Sequence, residues 1–463
     1  MLGLGVGEDG VHHGKRKRFS RRLLVAAGVS LLLIVGLAGS AAASRPAADC
    51  PASLNCDFIP AAYKTIGGNP ADYGNYDQAS RPADGLKINS IVIHDTEESY
   101  PGTISGFTDP AHQAAANYLV QSSTGNVTEM VRPGNVAWAV GNWYYNTHSV
   151  SIENEGFAAQ GAAWYTQAEY KSDAALVRYL ARKYGVPLDA EHIVGHDSVG
   201  GENSAQNKNQ HTDPGPYWNW NYFMSLVRGE SESAYLASQG SAGARGHHVI
   251  TISPDWNANR PPVTTGCQQS TCPALPSQPA NFVYLRTQPN QSAPLLSDPT
   301  MHPRGGPGTT KINDWSATAR AGDQYVLAGR KGDWTGIWFG GRTGWFRDPR
   351  GTGATARFTG ATVVTPKPGK ATVPVYGAPY PESSAYPKGV TPRSRPALAY
   401  TFKAGQSYVT TGSVPDDSYN AAYDPRTPHN REVIRGHTRY DQVLFNHRLY
   451  YVNASDVTLK HLR

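Results

Sequence analysis

Charge is scarce in this sequence: Asp, Glu, Lys and Arg make up 17% of its 463 residues, against 10% aromatic side chains. A chain that stays disordered has the opposite balance, so this one is expected to fold. Only one stretch stays apolar long enough to enter a bilayer, which excludes a multi-span membrane protein. Cysteine is scarcer still, with four, at positions 50, 56, 267 and 272. Their spacings are not C-x-x-C, which weakens a structural zinc site as the reading of two short pairs. An even count outside the cell favours disulfides, with the local pairs Cys50–Cys56 and Cys267–Cys272 preferred over crossed ones. No nucleic-acid-binding motif is present, and no nucleic-acid partner is expected. Turn formers and rings are plentiful instead: 48 Gly, 34 Pro, 26 Tyr and 10 Trp point to short strands and many turns. At ~150 residues per domain, the length suggests about three domains.

The one long apolar run is an address. Residues 15–22 read KRKRFSRR, Leu23 to Gly39 carry no charge, and Ala41 and Ala43 follow at A-x-A spacing. A basic region, an apolar core and a small-residue site make a secretory signal over 1–43, with cleavage expected after Ala43. The run Ser20-Arg21-Arg22-Leu23-Leu24 also resembles a twin-arginine signal, and both export routes stay open. An uncleaved anchor is a third reading, since ~17 apolar residues is the lower limit for a span. Beyond the signal, charge is divided along the chain. Residues 44–278 hold 13 Lys/Arg and 22 Asp/Glu, whereas 279–463 hold 23 and 12. A basic exported region suits a polyanionic surface as partner, with plain solubility as the alternative.

Strands are expected at 87–94 (KINSIVIH), 117–122, 127–132 and 149–155, and a helix over 166–184. In that helix Tyr170, Ala174, Val177, Leu180 and Tyr184 recur at steps of three and four, and Gly185 and Pro187 end it. A last helix is expected to begin near Pro216. Alternating strands and helices make an α/β domain over 85–228, after an N-terminal segment 44–84. Residues 229–278, rich in Ser, Gly, Ala and Pro, are expected to be linker. The remainder is all-β in character and repeats itself: Ala321-Gly322-Asp323-Gln324-Tyr325-Val326 returns as Ala404-Gly405-Gln406-Ser407-Tyr408-Val409. Each copy precedes two aromatic strands, which suggests two small barrels over 279–350 and 360–463.

Four segments of the α/β domain carry chemistry. Ile91-Val92-Ile93-His94 and Ile193-Val194-Gly195-His196 are short apolar strands that end in His, where α/β sheets place their sites. His211-Thr212-Asp213-Pro214-Gly215-Pro216 is a tight turn before a helix. Two His and one Asp from three such ends would make a zinc site with an open fourth position. The fourth segment is Ser151-Ile152-Glu153-Asn154-Glu155. Strand alternation puts Glu153 and Glu155 on one face, either one placed to act as general base. Spacing alone leaves a blander reading: a lone His is more often a satisfied residue, and HTDPGP can be a β-turn with a helix cap.

Taken in this order, IVIHDT, SVSIENEG, IVGHDS and HTDPGPYWNW closely resemble the zinc-dependent N-acetylmuramoyl-L-alanine amidases that share the peptidoglycan-recognition-protein fold. The resemblance covers about residues 85–228. It implies a mixed β-sheet flanked by helices, with zinc held by His94, His196 and Asp213. It implies Glu153 as the base that activates water. The family often has a basic residue two positions before the liganding Asp, a place His211 takes here, to polarise the scissile carbonyl or stabilise the oxyanion. A rival set of His94, His211 and Asp213 fits the alignment less well. Two positions depart from the family: Asn117 stands where many members have His, and Ala137-Trp138-Ala139-Val140-Gly141 replaces A-W-H-A-G. Asn117 and Trp138 are therefore expected to line the substrate groove. The polar loop 197–210 is either a flexible rim or an insertion.

The repeated region resembles bacterial Src-homology-3-like cell-wall modules, through Gly332, Trp334, Gly344 and Trp345 in the first copy. The second copy matches more loosely, with Tyr450 and Tyr451 in place of the Gly-Trp pair. Such modules imply targeting, and Trp334, Trp338 and Trp345 are the aromatics expected at a ligand or else in a core. The expectation is a secreted, wall-associated, monomeric zinc hydrolase acting on peptidoglycan at the bond between N-acetylmuramic acid and L-alanine. Anionic wall polymers are expected partners of the basic C-terminal region. A non-catalytic peptidoglycan-binding protein and a zinc endopeptidase of the stem peptide are the alternatives.

Overall fold

In the computed structural model, residues 47–241, 248–269, 271–349 and 356–462 are described. The expected export signal, 1–43, lies outside the described residues. Among the described residues no helix is long and apolar enough to cross a membrane. Six strands form the first sheet: β1 (Cys56–Phe58), β2 (Ser90–Asp95), β3 (Tyr118–Val120), β4 (Val127–Glu129), β5 (Ser149–Asn154) and β6 (Ile193–Gly195). Their order is β1-β4-β3-β5-β2-β6. Only the β3–β4 pair is antiparallel, so the sheet is mixed, as expected. The central strands are continuous apolar runs because both faces are covered: Ile91, Val92, Ile93, Ile193 and Val194 are wholly buried.

Helices α1 (Tyr100–Thr108), α2 (Trp143–His148), α3 (Gln167–Tyr184), α4 (Ser204–Lys208) and α5 (Trp220–Arg228) connect these strands and follow them. The α3 start is fixed by Thr166, whose side chain accepts from the Glu169 N–H, and its end by Gly185 at φ 74°. The apolar positions read from its periodicity, Tyr170, Ala174, Val177 and Leu180, are buried, while Tyr184 is only partly so. The last helix starts at Trp220 rather than near Pro216. The Asn219 side chain accepts from the Tyr222 N–H and sets the cap there.

The segment 229–278 is not a plain linker. It holds helix α6 (Glu232–Ser238) and strand β7 (Val249–Ile252), whose four residues VITI are all buried. With β8 (Gln324–Lys331), β9 (Trp334–Phe339), β10 (Arg342–Arg347) and β11 (Ala356–Thr359), β7 builds an antiparallel sheet in the order β10-β9-β8-β7-β11. A second antiparallel sheet contains β12 (Ala361–Pro366), β13 (Tyr408–Asn420), β14 (Glu432–Leu444), β15 (Leu449–Asn453) and β16 (Val457–Leu462), ordered β15-β14-β13-β12-β16. The C-terminal region is thus all-β. The two copies of the sequence repeat lead into β8 and β13, each past a glycine with positive φ, Gly322 and Gly405.

The α/β sheet uses the C-terminal region as its second covering layer. Ile91 and Ile93 point into a cluster with α3 and α5. Val92 and Val194, on the opposite face, share a cluster with Ile250 and Ile252 of β7 and with Leu449 and Tyr451 of β15. Disulfides join Cys50 to Cys56 and Cys267 to Cys272, the local pairs expected.

Candidate active site

Three strand ends and one turn converge. His94 is the fifth residue of β2 and lies directly across the register from Glu153 of β5. His196 follows β6 in a short turn, His196–Ser198. The main chain links that turn to the next one, because the Asp197 N–H donates to the Asp213 carbonyl at 2.8 Å. As a result His94 Nδ1 stands 3.0 Å from Asp213 Oδ2, and His196 Nδ1 3.2 Å from Asp213 Oδ1. One donor atom from each of His94, His196 and Asp213 lies within 4.8 Å of the others. Glu153 Oε1 is 3.9 Å from His94 Nδ1. The His211 side chain is 73% exposed, with Nδ1 3.6 Å from Asp213 Oδ1. The structure therefore groups His94, His196 and Asp213 in the interior and leaves His211 at the rim.

The electrostatics suit a cation. Burial pushes the His94 imidazole down to about 4, so its ring is neutral and a lone pair is available. Burial, and then the charges of Asp213 and Asp95, push the Glu153 carboxyl well above the usual range. Burial raises the Asp213 carboxyl too, but the facing His196, His211 and His94 rings outweigh it and hold the group well below that range. His211 is raised, first by its hydrogen bond to Asp213. His94 Nε2, both ring nitrogens of His196 and Glu153 Oε2 are buried without a hydrogen-bond partner. Two imidazoles and one ionised carboxylate, with nitrogens left unpartnered, match the donor set of a divalent transition metal such as zinc.

The group lies at the floor of a cleft of about 540 Å³, whose walls include Glu97, Phe107, His112 and Trp138. Trp138 is held in place by its indole N–H, which donates to Asp77 Oδ2 at 2.8 Å. Asn117 is not in the cleft. It is 1% exposed. Its Nδ2 donates to the Val131 carbonyl at 3.1 Å and its Oδ1 accepts from the Ser151 N–H at 3.0 Å. The side chain is consumed by tying β5 to the segment that follows β4, which corrects its expected place at the groove. Trp334 lines a separate cavity of about 990 Å³ in the C-terminal region, together with Tyr284, Arg286 and Arg347. Trp338 packs against core clusters of the two C-terminal sheets.

Sequence reasoning missed the residues that hold the ligand-bearing turns. Asp95 accepts from the Tyr165 hydroxyl, which also meets the Pro214 carbonyl at 2.7 Å. Asn154 donates to the His94 carbonyl at 3.1 Å and to Asp173 Oδ2 at 3.1 Å. One signal was available: His-Asp occurs at both strand ends, 94–95 and 196–197, and both Asp residues brace the Asp213 turn. The polar loop 197–210 is not a loose rim. It folds into α4, and Asn207 and Glu202 bond to the C-terminal region through Tyr400 and Tyr380.

An α/β sheet that presents such a cluster and an adjacent buried Glu at a cleft is an arrangement suited to metal-assisted hydrolysis. A family model described as N-acetylmuramoyl-L-alanine amidase matches residues 84–216. N-acetylmuramoyl-L-alanine amidase A of Achromobacter lyticus is 32% identical over 177 residues, covering 35% of this chain and 92% of that protein. The 1,6-anhydro-N-acetylmuramyl-L-alanine amidase AmpD of Enterobacter cloacae is 29% identical over 132 residues, 27% of this chain and 64% of that protein. Among solved structures, that of a selenomethionine derivative of AmpD aligns at 23% identity and a TM-score of 0.28, covering 37% of this chain and 94% of that one. The Staphylococcus aureus hydrolase AmiA in complex with its ligand aligns at 17% identity and a TM-score of 0.29, over 41% and 86%. The chain belongs to the N-acetylmuramoyl-L-alanine amidase family.

Proposed function

We propose that this protein is a zinc-dependent peptidoglycan amidase that hydrolyses the amide between the lactyl group of N-acetylmuramic acid and L-alanine of the stem peptide. The observation that carries this reading is the buried convergence of His94, His196 and Asp213 within 4.8 Å, with Glu153 beside them. His94, His196 and Asp213 would hold the ion. Bound there, zinc would supply Lewis acidity, lowering the pKa of a water and polarising the scissile carbonyl. Glu153 takes the proton of the attacking water, and its partner-free Oε2 then delivers it to the departing L-alanine amine. His211, at the rim of the cluster with Nδ1 3.6 Å from Asp213 Oδ1, donates to the carbonyl oxygen as negative charge develops on it. Trp138 presents a fixed ring at the cleft wall against which a sugar or peptide segment can lie.

Export is part of the same proposal, supported by the basic, apolar and A-x-A sequence of residues 15–43. Attraction of the basic C-terminal region to anionic wall polymers follows from its 23 Lys/Arg against 12 Asp/Glu. The test is mass spectrometry of purified peptidoglycan digested with and without a chelator. Stem peptides with a free L-alanine amine and lactyl-intact glycan, formed only with zinc, are the expected products. New amine ends inside the stem peptide would make the enzyme an endopeptidase, and wall binding without products would make it a recognition protein.

A further inference from the structure

The turn that carries His196 is gripped from behind by two arginines of the C-terminal region. Arg448, 1% exposed, immediately precedes β15. Its Nε donates to the Asp197 carbonyl at 3.2 Å, and its Nη1 donates to the Asn207 carbonyl at 2.6 Å and to Asn207 Oδ1 at 3.0 Å. Arg320, 2% exposed, places Nη1 3.6 Å from Asp197 Oδ1. Its Nη2 donates to Asp323 Oδ1 at 3.0 Å and to the Ala190 carbonyl at 3.4 Å, just before β6. Its guanidinium lies 4.4 Å over the Trp220 ring of α5. Next to this pair, Val199 forms a bridge with Leu449.

Two guanidinium groups in a dry interior are tolerated only where their acceptors stand in place. The dependence runs both ways: the carbonyls of Asp197 and Asn207 are buried acceptors that need the fork of Arg448. The short turn His196–Ser198 therefore has little freedom to shift. Through the Asp197 N–H it also fixes the Asp213 carbonyl, so one rigid node sets the separation of two of the three residues of the cluster.

We infer that Arg448 and Arg320 are positioning residues of the active centre, so that the C-terminal sheets are a working part of it. The inference rests on the metal-site reading above. It predicts that metal affinity depends on residues that never touch the metal, as with groups that orient ligands in other sites, where loss costs about 10–100-fold.

The experiment titrates the full chain with zinc against a chromophoric chelator, well below its melting temperature, for the parent, Arg448→Met, Arg448→Lys, Arg320→Met and Arg435→Met. Arg435 is the control. It too bonds across to the α/β domain, to the Gly85 carbonyl at 3.0 Å, but at a place remote from the His196 turn. Arg448→Met and Arg320→Met are expected to lose about tenfold in zinc affinity. Arg448→Lys keeps the charge without the planar fork and is expected to recover only part of it. Arg435→Met is expected to bind as the parent does. Hydrogen exchange of the metal-free chain supplies a second readout. Arg448→Lys should speed exchange of the Asp197 N–H and leave that of β5 unchanged, and this holds even if Arg448→Met does not fold. Zinc affinities within twofold of the parent, or unchanged exchange at Asp197, overturn the inference. Failure of the parent to bind zinc would overturn the metal-site reading instead, a separate result.

Discussion

Glu153 Oε1 lies 3.9 Å from His94 Nδ1 because the two residues face each other across adjacent parallel strands. Burial keeps the Glu153 carboxyl far more basic than a free one, and its second oxygen has no partner. Glu153→Gln is expected to keep zinc and lose about 10²- to 10⁴-fold in turnover. Metal content and kcat on purified peptidoglycan, measured on one preparation, check this. Near-normal turnover would remove Glu153 from the role of base.

Asp213 stands between two imidazoles, and its carboxylate is the only negative donor of the cluster. Asp213→Ala is expected to lose zinc and activity together. Metal analysis after gel filtration reads it, and a variant that retained stoichiometric zinc would reassign the ligand set.

Trp138 and Asn117 are expected to separate cleanly. Trp138→Ala strips a ring from the cleft wall and should raise KM about tenfold, equivalent to roughly 1.4 kcal/mol, with folding intact. Asn117→Ala leaves the Ser151 N–H and the Val131 carbonyl without their partner and should cost about 1–3 kcal/mol of stability without altering KM. Steady-state kinetics and denaturant unfolding distinguish them.

Glu129 gives the fold a pH dependence. Burial pushes its carboxyl up to about 7, against the Asp49 N–H and Arg132, which pull it down. Its folded pKa lies above the value of 4.5 for a free Glu, so the folded state binds the extra proton. The resulting stability is full below 4.5 and is lost as pH rises through about 7. Glu129→Gln should flatten that slope, so that between pH 5 and 8 the parent loses about 1 °C more in Tm for each kcal/mol involved. Melting curves across that range test the sign.

The shared cluster around Val92, Val194, Ile250 and Tyr451 implies a single cooperative unit. Calorimetry of residues 44–463 is expected to show one unfolding transition, and truncation after residue 240 to abolish it. Two separable transitions would show that the α/β domain stands without its C-terminal cover.

The strand and helix pattern of the α/β domain was legible because β2, β5 and α3 are strongly periodic or continuously apolar. The cluster was legible because His94, His196 and Asp213 sit at strand ends and in a Pro-Gly turn. Asn117 was misread because local sequence does not tell whether a polar residue at a strand start faces a groove or crosses to a neighbouring strand. Val249–Ile252 was hidden by the Ser-, Gly- and Pro-rich sequence around it, since four apolar residues decide little until a sheet receives them. The roles of Arg448 and Arg320 depend on contacts across more than a hundred residues, which no spacing within one segment reveals.

Strand β7 has β8 on one side and β11 on the other, so the chain leaves the α/β domain by entering the interior of a sheet. The α/β sheet and the C-terminal sheets share one core cluster, so the cleft and the C-terminal region travel as one body. Under the proposed attraction of the C-terminal region to wall polymers, the cleft would be carried at a fixed offset from the point of attachment. Each attachment would then bring one short stretch of substrate to the cleft, and progress along a polymer would require release and re-attachment rather than a swing about a hinge.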